Sequence, residues 1–278
     1  MTQRILLSLA IVVAVGGGAI ASTGAFFSDT ETSTGNTFTA GALDLTIDNS
    51  SYGFDWNNPL IPIASTTGAW GPNAANSWQL SDLTNQLFFS FADLKPGDYG
   101  EDTISLHVQN NAWACMNLKL TGTPENGVNG PETAFPDLTP GTNDGELQNY
   151  LSFIFWNDDG DNVLEPQEQV IPELSGLPGS IFTGNWLPIA DASSTPLKAG
   201  DTTYIGKGWC FGRIVATPVD RNPADNTPPV PGATGFTCDG SGNQNIAQTD
   251  GISVDVSFHS EQARNNDKFL CSSLNTGQ

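Results

Sequence analysis

The chain has 278 residues, 30 of them acidic and 9 basic, for a formal net charge of -21. A surface this acidic repels phosphate and has few cations with which to displace counterions, so nucleic acid is excluded as a partner and anionic membrane surfaces are disfavoured. Only 14% of residues are charged and 38% are hydrophobic, so there is a core to bury, while 30 glycines and 18 prolines rule out a long helical bundle.

The first segment reads as a targeting signal. Arg4 and the free amine precede an apolar run from Ile5 to Ala21, which is short for a membrane span and suited to a signal sequence. Ala19-Ile20-Ala21 and Thr23-Gly24-Ala25 both fit the small-x-small rule, with cleavage by signal peptidase before Ser22 or before Phe26. Export to the extracellular space or cell surface places the four cysteines in an oxidising compartment.

Period-two alternation then dominates. Leu43, Leu45 and Ile47 alternate with polar residues. So do Leu87, Phe89 and Phe91; Ile104, Leu106 and Val108; Ala114, Met116, Leu118 and Leu120; and Ile252, Val254, Val256 and Phe258. Each pattern predicts a strand with one face in a core and one in water. Apolar runs near 150–156 and 202–214 add further strands, and Glu146–Tyr150 is a short helix candidate. Lys95-Pro96-Gly97-Asp98 predicts a turn, and Asn110-Asn111 a tight link between two strands. The fold class is all-β: an antiparallel β-sandwich of one domain, 26–278, with long loop insertions at 49–86, 122–145 and 222–242.

Cys115, Cys210, Cys238 and Cys271 allow three disulfide pairings. A Cys210–Cys238 bridge would close the Pro/Gly-rich excursion between them. Cys115–Cys271 would then tie the middle of the sheet to the C-terminal tail, and alternation places Cys115 on the face away from the core, where a covering tail can reach it.

The sharpest local motif is the acidic stretch 157–168. Counting from Asn157, oxygen ligands fall at positions 1, 3 and 5 (Asn157, Asp159, Asp161). A carbonyl follows at 7 (Val163), with carboxylates at 9 (Glu165) and 12 (Glu168). This is the ligand spacing of an EF-hand-type calcium loop, in which a hard cation gathers six or more oxygens, and it makes Ca2+ the expected cofactor. Position 6, usually Gly, is Asn162, which also tolerates a left-handed backbone. No amphipathic helix flanks the motif, so it is a lone loop between strands.

No zinc-protease, nucleophile-elbow or phosphate-loop motif is present in the sequence, and the two histidines, His107 and His259, fall on polar strand faces, so the chain is not expected to be an enzyme. Trp56, Trp70 and Trp78 either pin the first long loop to the sheet or form a platform for glycan.

Three stretches together resemble the TasA/camelysin family. They are Thr23–Glu31 followed by Asn36–Leu45, the turn Asp93–Asp98, and the strand Ile104–Val108 ending in Asn110-Asn111. The resemblance favours cleavage before Phe26, leaving 1–25 as the signal peptide. It implies a jelly-roll sandwich that serves as a filament subunit of extracellular biofilm matrix. It also implies that the segment Phe26–Asn36, led by Phe26, Phe27, Ser28 and Asp29, is donated as a strand to the next subunit. The partner would then be the chain itself as a homopolymer, together with other matrix proteins or glycans. A monomeric glycan- or protein-binding module is the alternative reading, and a camelysin-like metalloprotease a weaker one. The four cysteines and the acidic loop are not part of the family's pattern.

Overall fold

Strand β5 (Tyr99–Val108) sets the architecture. Ile104, Leu106 and Val108 point to one side and are buried, while Glu101, Thr103 and Ser105 point to the other. The strand is nonetheless buried along nearly its whole length, because both of its faces are covered. The computed structural model describes residues 28–32, 44–54, 70–73, 76–90, 94–128, 130–133, 141, 143–221, 232–242 and 244–277. Residues 1–25, expected to be a signal peptide, lie outside the described residues, as do Phe26, Phe27 and Trp56.

The other strands are β1 (Ser28–Thr32), β2 (Leu45–Phe54), β3 (Trp70–Pro72), β4 (Trp78–Ser81), β6 (Ala112–Gly122), β7 (Leu151–Asp158), β8 (Thr183–Ala190), β9 (Thr202–Phe211), β10 (Arg213–Ala216), β11 (Phe236–Asp239) and β12 (Ser253–Gln262). One sheet runs β1-β12-β6-β8. The larger runs β3-β2-β5-β9-β7, with β4 also paired to β2, and β10-β11 form a separate ribbon. Among the described residues all strand pairings are antiparallel. The fold is an all-β, sandwich-like arrangement whose main core holds Leu45, Ile47, Ile104 and Trp209 from one sheet and Met116 and Phe258 from the other.

A second cluster, Ile154, Trp156, Leu164 and Phe236, sits on the outer face of the larger sheet. Two glycines of β9 make room for it. A Cβ at Gly206 would lie 2.0 Å from the Trp156 ring, and one at Gly208 would lie 2.6 Å from Phe236. The segment after β7 and the β10-β11 ribbon supply the cover.

Inside the sandwich, Asp102 and Lys207 face each other across β5 and β9 with Oδ1 and Nζ 2.9 Å apart. Lys207 also donates to the Phe88 carbonyl (2.8 Å) and lies 3.9 Å from the centre of the Phe89 ring. Burial pushes the Asp102 carboxyl up to about 6 and pulls the Lys207 ammonium down, and each charge opposes the shift of the other.

Cys115 pairs with Cys271 and Cys210 with Cys238. Cys271 opens a C-terminal 3-10 turn, Cys271–Gly277, that packs over β8. These two bridges mark an oxidising compartment. Among the described residues no helix is long and apolar enough to cross a membrane.

Several expectations need correcting. Residues 87–90 do not form a strand, and Phe91 lies outside the described residues. Leu87 is exposed while Phe88 is buried against Trp78 and Phe258, because this segment turns inward to cap Lys207 rather than extending along a sheet. The stretch 49–86 is not all loop, since β2 continues to Phe54 and β3 and β4 pair with it. The helix candidate is a 3-10 turn, Leu147–Asn149. His259 is buried, packed against Trp186 and Phe269.

Candidate functional site

The acidic stretch leaves β7 at Asp158 and closes on itself. Asn162 takes φ 63°, the left-handed turn that the sequence pattern requires at this point. The Asp161 carboxylate accepts the Val163 N–H (3.0 Å), and the two Glu168 oxygens accept the N–H groups of Asp159 (2.9 Å) and Glu165 (3.0 Å). Buried Val163 and Leu164 anchor the loop, Leu164 in the second apolar cluster. The carboxylates are thereby gathered rather than splayed. Oxygens of Asp159, Asp161 and Glu165 lie within 4.8 Å of one another, as do those of Asp158, Asp159 and Glu168.

The structure therefore brings together Asp159, Asp161, Glu165 and Glu168. Asn157 stands apart. It pairs with Ile205 in the ladder and lines a cavity of about 230 Å³ with Met116 and Leu187, on the opposite pleat face from Asp158.

Three contributors were not legible in the motif. Asp158 takes the place nearest the sheet, where its Oδ2 accepts the Thr103 hydroxyl (2.7 Å). Arg221 arrives from beyond β10. Its Nε lies 3.1 Å from Asp161 Oδ2, and its backbone N–H donates to Glu165 (2.7 Å). Glu101, on the outer face of β5, lies fully buried beneath the loop. Read from sequence, Glu101 and Thr103 look like ordinary solvent-facing positions of an alternating strand, because the cover comes from residues about sixty positions later.

Like charges crowded out of water hold their protons. Burial, then the neighbouring Asp158 and Asp102, push the Glu101 carboxyl well above the usual carboxylate range. Burial raises Glu168 to about 8, and raises Asp161 to about 6 against the pull of Arg221. Such a set of oxygens is chemically suited to a hard cation, which would replace the protons.

The N-terminal segment is the second feature of interest. β1 lies at the rim of the smaller sheet, antiparallel to β12, in unbroken register from Ser28 opposite Glu261 to Thr32 opposite Ser257. Ser28 and Asp29 are thus in a ladder that any sequence free of proline can make. Of the tryptophans, Trp78 packs edge-on against Phe88, with ring centres 4.8 Å apart, so it pins its strand to the core.

No family model matches the chain, and no curated protein matches it.

Proposed function

We propose that this chain is a secreted structural protein whose copies join into extracellular filaments by exchange of the N-terminal strand. The observation that carries this reading is the placement of β1. Residues 28–32 meet the sandwich as a rim strand that, among the described residues, pairs with β12 alone. A strand joined to its sheet through a ladder of backbone hydrogen bonds can be supplied by a neighbouring copy, and such a contact is heterologous and does not close, so it propagates as a fibre. The resemblance of 23–45 and 93–111 to the TasA/camelysin family supports the same role and a place in a biofilm matrix. Two disulfides fit the harsh, oxidising setting of such a matrix.

The test is removal of Phe26–Asn36 from the mature chain. The truncated protein is expected to stay folded, since both sheets of the sandwich keep their other strands, and to remain monomeric where the intact chain forms filaments. Filaments of unchanged width from the truncated protein would overturn the strand-exchange reading.

A further inference from the structure

The core face of the larger sheet carries three polar side chains among apolar ones. Asn49 of β2, Asp102 of β5 and Lys207 of β9 lie on three neighbouring strands, on the same pleat face as Ile47, Ile104 and Ile205. They are 2%, 1% and 0% exposed. Asp102 and Lys207 are direct ladder partners, with Nζ 2.9 Å from Oδ1. The Asn49 amide also acts on the carboxyl, and its Nδ2 donates to the Asn76 carbonyl (2.6 Å). Neither approach to Asp102 has the direction of a good hydrogen bond, so both carboxyl oxygens are left unsatisfied. Buried polar groups are almost always satisfied, and a buried ion pair recovers its desolvation cost only when its remaining lone pairs are hydrogen-bonded.

The same features suit the two side chains to condensation. The Phe88 carbonyl accepts from Nζ (2.8 Å) and the Phe89 ring lies 3.9 Å from it, so the amine is fixed beside the carboxyl. A lysine withdrawn from water into an apolar pocket becomes a nucleophile, because burial favours the neutral amine. Burial likewise favours the protonated form of Asp102. Transfer of one proton from Nζ to the carboxylate gives both neutral forms with no help from solvent. Reactants held in place on a rigid frame reach effective molarities of about 10⁵–10⁸ M, and a site closed to water does not favour hydrolysis of the product.

We infer that Lys207 and Asp102 join in an intramolecular amide cross-link between β9 and β5. The Nζ lone pair attacks Cγ of the protonated Asp102 carboxyl. The Nζ–Cγ bond forms, one Cγ–O bond breaks, and the departing hydroxyl takes a proton from the nitrogen and leaves as water. No oxidant or further reactant is needed. The product keeps one N–H, for which the Phe88 carbonyl is in place, and one oxygen, for which the Asn49 Nδ2 has a second hydrogen. The charged pair is the open form of this site, and the electrostatic cost of removing one partner is a property of that form. The inference does not depend on filament formation and is tested on the unassembled chain.

The experiment is intact-mass spectrometry of the purified chain, unfolded and with both disulfides reduced, followed by proteolytic peptide mapping. The expected result is a mass one water below that of the sequence, and a branched peptide that joins the segment holding Asp102 to the segment holding Lys207. Lys207→Met is expected to show its full sequence mass and two separate linear peptides. Mapping of the parent chain gives the answer by itself should Lys207→Met fail to fold. A parent chain at full sequence mass would overturn the proposal. A water loss that persists in Lys207→Met, or that maps to an Asp-Gly step such as Asp159-Gly160, would also overturn it, since it would report an aspartate closing on its own backbone.

Discussion

Replacing Lys207 by Met would leave Asp102 as a lone carboxylate in the sandwich. The two side chains are 0% and 1% exposed and 2.9 Å apart, so water cannot take over the lost contact. Breaking a buried pair from one side costs about 3–5 kcal/mol. At about 2–4 °C per kcal/mol for a domain of this size, Tm should fall by roughly 6–20 °C. The double variant Asp102→Leu/Lys207→Met removes both charges at once and places apolar groups beside Ile104 and Ile205, so most of that loss should be recovered. A double-mutant cycle read by urea unfolding, with disulfides intact, should give a coupling of at least about 2 kcal/mol. A cost below about 1 kcal/mol for Lys207→Met, or a double variant that loses the sum of the two singles, would refute the reasoning that the pair is a single desolvated unit.

Other perturbations follow from the same structure. The Cys115–Cys271 bridge spans 156 residues and Cys210–Cys238 spans 28, so loop entropy gives about 5.1 and about 3.6 kcal/mol respectively. Cys115→Ala/Cys271→Ala should therefore unfold at lower urea than Cys210→Ala/Cys238→Ala, and the reverse order would contradict the entropic account. Gly206→Ala forces a methyl to within 2.0 Å of Trp156 and should cost about 3 kcal/mol, seen as a lower urea midpoint with altered tryptophan fluorescence. Asp250 accepts the Glu146 N–H and lies in side-chain contact with Glu125. Burial, countered in part by that N–H and reinforced by the carboxylates of Glu125 and Glu146, raises it to about 7. Its folded pKa exceeds its unfolded value, so its contribution to stability declines as pH rises from about 4 through about 7. Asp250→Asn should be the more stable protein at pH 8, by about 1 kcal/mol after solvent screening, and equal to the parent near pH 4. Parallel stability–pH curves for the two proteins would contradict that assignment.

Much of the fold was legible because its signals are local. The alternations of β5, β6 and β12 mark strands, and Lys95-Pro96-Gly97-Asp98 forms its turn with Gly97 at φ 93° and the Asp98 carboxylate accepting the Lys95 N–H (2.6 Å). Asn162 could be read as the left-handed residue of the acidic loop for the same reason. What escaped depends on distant parts of the chain. The alternation read over Leu87 and Phe89 fails because the buried Lys207 ammonium, beyond its pairing with Asp102, also donates to the Phe88 carbonyl and draws it inward. β8 contains Pro188 and stays partly exposed, so its pattern is faint. Glu101 has no local mark at all, since its burial arises only when the 158–168 loop and Arg221 fold over β5. His259 was misplaced in the same way, because the cover on its face of β12 comes from β8 and the C-terminal residues.

Strand exchange itself can be read with one engineered pair. Thr32 of β1 and Ser257 of β12 are direct ladder partners, so cysteines at both positions can bridge. If β1 is donated between copies, oxidised filaments of Thr32→Cys/Ser257→Cys should dissolve in SDS as a ladder of covalent multimers. Filaments that dissolve to internally bridged monomers alone would show that β1 stays with its own chain, and would contradict the account.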